Sequence, residues 1–129
     1  MNNLLIDTNI YTGMMKGDRE VKSQLQRAAE IGICSVSIGE LLSGFKGGNR
    51  EQQNREELGQ FLDSPRVCIH VVDENTAEFY AEILNSLRKA GKPVPTNDIW
   101  IAAVALQHGW KVFTKDSHFK QIKGLMLVQ

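Results

Sequence analysis

Apolar residues fall along this chain in short runs separated by stretches where they recur every third or fourth position. Leu4 to Ile6 is one such run and predicts a buried strand. Residues 8 to 16 read as a short helix ending near Gly17. Asp18 is placed to cap a second helix, on which Val21, Leu25 and Ala28 recur at helical spacing and which Gly32 ends. Ile33 to Val36 predicts a second strand. Ser37 then opens a helix towards Phe45, broken by Gly47-Gly48. Residues 50 to 57 are wholly polar and lead into Leu58, Phe61 and Leu62, a helix with an exposed first half. Pro65 precedes a strand from Val67 to Val72. Asp73 caps an amphipathic helix carrying Ala77, Tyr80, Ile83, Leu84 and Leu87 on one face, stopped by Gly91 and Pro93. From about Asn97 to His108 the chain is apolar nearly all round, which predicts a central buried helix ended by Gly109. Val112 to Thr114 and Leu125 to Val128 are the last strands.

Short apolar strands alternating with helices predict an α/β domain with a parallel sheet covered on both faces. Right-handed crossovers then bring the carboxyl ends of the strands to one edge. The 129 residues suit one domain, 1–129. Charge adds a restriction: 15 basic and 15 acidic side chains cancel, so any nucleic-acid binding would have to come from a local patch or from metal ions. Cys34 and Cys68 sit in apolar runs, without zinc-type spacing, and read as reduced core thiols of a cytoplasmic protein. The first residues lack a basic region, which argues against a signal peptide, and no apolar stretch approaches the ~20 residues of a membrane span.

Four acids stand out by position. Asp7 follows the first strand, and Asp116 follows the Val112 to Thr114 strand. Glu40 lies in the first turn of the helix after the second strand, and Asp98 in the first turn of the buried helix. Ligands of open parallel sheets bind beyond the carboxyl ends of the strands, where three of these acids are delivered. Carboxylates gathered there raise each other's pKa and need a hard cation such as Mg²⁺ or Mn²⁺. Acids plus such an ion suit phosphodiester hydrolysis by a metal-activated water. Each acid also has a structural explanation. Asp7 can cap the helix after it. Ser37-Ile38-Gly39-Glu40 has the pattern of a capping box. Asp98 can complement a helix dipole, and Asp116 can serve a turn. Spacing alone leaves both readings open. Asp98, however, heads a helix too apolar for the surface, and a buried carboxylate needs a partner.

The stretches Leu4-Leu5-Ile6-Asp7-Thr8-Asn9, Ser35-Val36-Ser37-Ile38-Gly39-Glu40-Leu41, Thr96-Asn97-Asp98-Ile99-Trp100-Ile101-Ala102-Ala103 and Val112-Phe113-Thr114-Lys115-Asp116-Ser117-His118-Phe119, taken in series, resemble the PIN-domain family, and within it the small VapC-type toxins. The resemblance covers essentially the whole chain. It implies a three-layer α/β domain, with a central twisted parallel sheet flanked by helices. It also implies an Mg²⁺- or Mn²⁺-dependent endoribonuclease, usually a homodimer, held inactive by a cognate antitoxin whose tail occupies the active-site groove. By position Asp7, Glu40, Asp98 and Asp116 take the acidic roles. Thr8 and Thr114 match small hydroxyl positions near the site, Asn9 matches the residue after the first of these, and Lys115 stands beside the site as a candidate for the substrate. Many relatives carry an acid or Asn where this chain has His118, so one ion is expected and not two. His118 itself reads as a surface loop residue or a phosphate contact.

Asp7 and Asp98 are accordingly expected to hold the metal most directly, with Glu40 and Asp116 completing the pocket through water or by orienting the attacking water. Arg88, Lys89, Lys92, Lys46 and Arg50 are further candidates for holding RNA, while Trp100 and Trp110 read as core or interface. Two other classes compete. A metal-dependent phosphatase of the haloacid dehalogenase type needs an acid where Asn9 stands, and a receiver-type domain needs paired acids that are missing. A non-catalytic RNA-binding module with the same fold would have no use for four acids.

Overall fold

The computed structural model describes residues 2–128; Met1 and Gln129 lie outside it. Four parallel strands, β1 (Asn3–Ile6), β2 (Glu30–Cys34), β3 (Val67–His70) and β4 (Lys111–Phe113), form one sheet in the order β3-β2-β1-β4. The first of them shows why the strands lack alternation: Leu4, Leu5 and Ile6 are all fully buried, because both faces of the sheet are covered. Leu4 and Ile6 join Ile31, Ile33 and Phe113 against α1 (Thr8–Met15), α2 (Arg19–Arg27), α3 (Ser35–Lys46) and α4 (Glu51–Leu62). Leu5, Cys34 and Val112 turn the other way, onto α5 (Glu74–Ala90) and α6 (Thr96–His108). The three-layer parallel α/β architecture is the one predicted.

Caps fix several helix ends. Asp18 accepts the Val21 N–H at 3.1 Å, and Asp73 forms a capping box with Thr76. Thr76, not Ala77, begins the buried stripe of α5. Its hydroxyl is fully sheltered among Asp73 and Gln107, while Ala77 is exposed. Gly91 and Gly109 end α5 and α6 in the left-handed region, at φ 67° and 72°.

Several boundaries differ from expectation: β3 stops at His70 and not at Val72, and β4 covers Lys111–Phe113 and not Val112 to Thr114. Residues 125–128 form a single parallel bridge, Val112 to Leu127, instead of a fifth strand. The apolar run from Ile33 divides between two elements: β2 stops at Cys34 and α3 starts at Ser35, yet Val36 still packs on the α5–α6 side. Gly32 does not end a helix; α2 stops at Arg27, and Gly32 lies inside β2. A Cβ there would stand 2.7 Å from both the His70 ring and the Trp110 ring, so the glycine is the space those rings fill. Gly32→Ala is expected to cost about 1–3 kcal/mol of stability, read from the denaturant midpoint. A second change, His70→Ala, should recover part of the loss; additive losses would place the strain elsewhere.

Candidate active site

Asp7 is delivered by β1 and is only 5% exposed. One oxygen caps α1 by accepting the Ile10 N–H at 2.9 Å, and the other accepts the Thr114 hydroxyl from the end of β4. The capping reading thus holds, and it leaves the second oxygen on the side of Thr114. Burial pushes its carboxyl above the ordinary value, and the charges of Asp116 and Glu40 push the same way against those two hydrogen bonds.

Glu40 does not close a capping box. Ser37 lies within α3, where its buried hydroxyl has no hydrogen-bond partner, and α3 starts from Cys34 without a side-chain cap. Glu40 reaches across instead. Its Oε1 accepts the Thr8 hydroxyl at 2.7 Å, and its Oε2 accepts the Asn97 amide at 3.2 Å. One carboxylate thereby joins the first turns of α1 and α6 to α3. The sequence reading gave Asn97 no such part. Its place directly before an acid at the head of a buried helix was the available signal.

Asp98 opens α6, whose Ile99, Ile101, Ala102, Ala103, Val104 and Ala105 are buried. Burial raises its carboxyl, and the Asp116 and Asp7 charges add to the rise, partly offset by His118 beside it. Asp116 caps the 3-10 helix Ser117–Gln121 by accepting the His118 N–H at 2.9 Å, and its own N–H donates to Thr114 Oγ1 at 2.9 Å. His118 is not a free loop residue. Its Nδ1 lies 2.9 Å from Asp116 Oδ1 and 3.5 Å from Asp98 Oδ2. Ligand atoms of Asp98, Asp116 and His118 all fall within 4.8 Å of one another. Asp7 and Glu40 stand beside this trio and are not part of it, which moves Asp116 nearer the centre than expected.

The remaining candidates separate by distance. Thr8 and Thr114 each hold one of the acids. Asn9 is exposed on the first turn of α1. Lys115 is drawn aside by Asp18, at 2.9 Å. Trp100 stacks on Tyr80 at 3.9 Å, and Trp110 meets His70 at 4.6 Å, packing roles as expected. Cys34 and Cys68 are free thiols; Cys34 is in the core as expected, but Cys68 is only half-buried, because β3 is an edge strand of the sheet. Among the described residues no helix is long and apolar enough to cross a membrane.

Two carboxylate oxygens and an imidazole nitrogen within 4.8 Å, next to a buried acid whose ionised form is disfavoured, fit a divalent cation. Held together without one, the carboxylates repel one another.

A family model for the PIN domain matches residues 4–125. The chain is 30% identical to ribonuclease VapC4 of Mycobacterium tuberculosis over 96% of its own length and 94% of that protein. It is 36% identical to ribonuclease VapC5 of the same organism, over 97% and 91%. In structure it is similar to the VapBC2 complex of Rickettsia felis, solved bound to a promoter DNA fragment, with a TM-score of 0.88, 26% identity and coverage of 98% and 97%.

Proposed function

The chain belongs to the PIN-domain family, and from that premise we propose that it is a metal-dependent endoribonuclease, the toxin of a toxin–antitoxin pair. The observation that carries the metal-dependent part is the meeting of Asp98 and Asp116, from α6 and the turn after β4, beside buried Asp7. The similarity to VapC ribonucleases and to a VapBC complex supports RNA as substrate and a cognate antitoxin as partner. Homodimer formation and a cytoplasmic place of action belong to the same reading.

Asp7, Asp98 and Asp116 would hold a Mg²⁺ or Mn²⁺ ion, with Glu40 completing the acidic pocket beside it. When bound, such an ion neutralises the phosphate and acidifies water. The chain's own residues do the rest. Thr114 fixes Asp7, and Asp116 in turn takes its position from Thr114. Thr8 and Asn97 hold Glu40 with both oxygens oriented, poised to take the proton of the attacking water. That water adds to phosphorus in line with the departing oxygen, the P–O bond breaks, and the leaving oxygen takes up a proton. Thr8, Asn9 and Thr114 line the approach for the RNA, while Lys115, expected there, is engaged by Asp18.

The test is incubation of the purified chain with mixed tRNA. Internal cuts are expected with Mg²⁺ or Mn²⁺ and none with excess EDTA. Cutting that survives EDTA rejects metal dependence. RNA binding without cuts favours a binding module, and hydrolysis of a small phosphomonoester favours a phosphatase.

A further inference from the structure

We propose that His118 is a ligand of the active-site cation, and that its imidazole shifts the preference of this site from Mg²⁺ towards nitrogen-accepting ions such as Mn²⁺ and Co²⁺; this rests on the metal-dependent reading above. The ring is held in place. Its backbone N–H is fixed by Asp116 at 2.9 Å, and the turn is pinned in the core by Phe119, 1% exposed, and Ile122, 6% exposed. Nδ1 is sheltered from solvent and lies close to oxygens of both Asp116 and Asp98, yet neither contact has the alignment of a hydrogen bond, so the nitrogen has no partner. Ligand atoms of Asp98, Asp116 and His118 thus lie within 4.8 Å of one another with no hydrogen bond joining the ring nitrogen to either carboxylate, an arrangement that a shared cation satisfies.

The donor set decides which cation. With Asp7, Asp98 and Asp116 as the carboxylate ligands, the His118 ring adds a nitrogen donor, whereas an acid at this position would add a further negative charge and make the donor set oxygen throughout, the set that suits Mg²⁺. Imidazole is a good donor to Co²⁺ and Zn²⁺, a weaker one to Mn²⁺ and the poorest to Mg²⁺. The other two histidines are engaged elsewhere: the His70 and His108 rings pack on each other, tilted by 40°, with centroids 4.5 Å apart.

Pulsed electron paramagnetic resonance of the full chain loaded with Mn²⁺ tests this directly. A ¹⁴N modulation of imidazole type is expected in the wild type and is lost in His118→Gln. In thermal-shift titrations the ratio of Mn²⁺ to Mg²⁺ affinity should fall about tenfold in His118→Asp. Bound Mn²⁺ without nitrogen modulation in the wild type overturns the proposal and leaves the nuclease reading standing, even if neither variant folds. Modulation that persists in His118→Gln overturns it as well. A chain that binds neither ion removes the metal-dependent reading and this proposal together.

Discussion

Asp7→Asn is expected to lose RNA cleavage by a factor on the order of 10³ or more while unfolding at a temperature no lower than the wild type. The two halves have separate causes. Asn caps a helix as well as Asp, so the bond from the Ile10 N–H survives. Its amide N–H₂ can donate to the Thr114 hydroxyl, which in the wild type donates to Asp7. The substitution also removes a charge that burial and two neighbouring carboxylates disfavour. Only the capacity to hold a cation goes. Asp7→Ala is the less informative change, because it also deletes the cap, at about 0.5–2 kcal/mol. Cleavage rates with saturating Mn²⁺ and thermal unfolding of the same preparations give the answer. An Asp7→Asn chain that cuts RNA at near wild-type rate removes Asp7 from the chemistry.

Glu40→Gln should behave differently: a rate loss of about 10²-fold with Mn²⁺ affinity close to that of the wild type. Both Glu40 oxygens already accept hydrogen bonds, from Thr8 and Asn97, and the residue stands outside the Asp98–Asp116–His118 trio. Gln fits the same place and keeps the bond from Thr8, but its N–H₂ faces the Asn97 amide and it accepts no proton. Cleavage rates set beside a Mn²⁺ thermal-shift titration separate the two properties. If affinity falls together with rate, Glu40 is a direct ligand and the base lies elsewhere.

The fold was legible because its signals are local. Apolar runs such as Leu4–Ile6, the cap at Asp18 and the all-round apolar stretch after Asp98 each declare an element without reference to the rest of the chain. Boundaries were less so. Gly32 looks like a helix stop when the chain is read in one dimension; its actual role depends on His70 and Trp110, far away in sequence. The same limit applies to the acids. Their strand-end positions were readable, but their hydrogen bonds were not. Glu40 has a plausible local partner in Ser37, and only the packing of α1 and α6 beside α3 shows that Thr8 and Asn97 take it instead. His118 was read as a surface residue because nothing around it in sequence shows Asp98, which α6 brings from the other side.

The pairing of Lys115 with Asp18 has a consequence for the order of events. The lysine next in sequence to Asp116 is neutralised by a neighbour, and the molecule as a whole carries no net charge. A polyanionic strand drifting towards the acids therefore meets repulsion from Asp98 and Asp116 with no help from that ammonium. Under the proposed function, admission is sequential: the cation settles first, and only the loaded cleft is open to RNA.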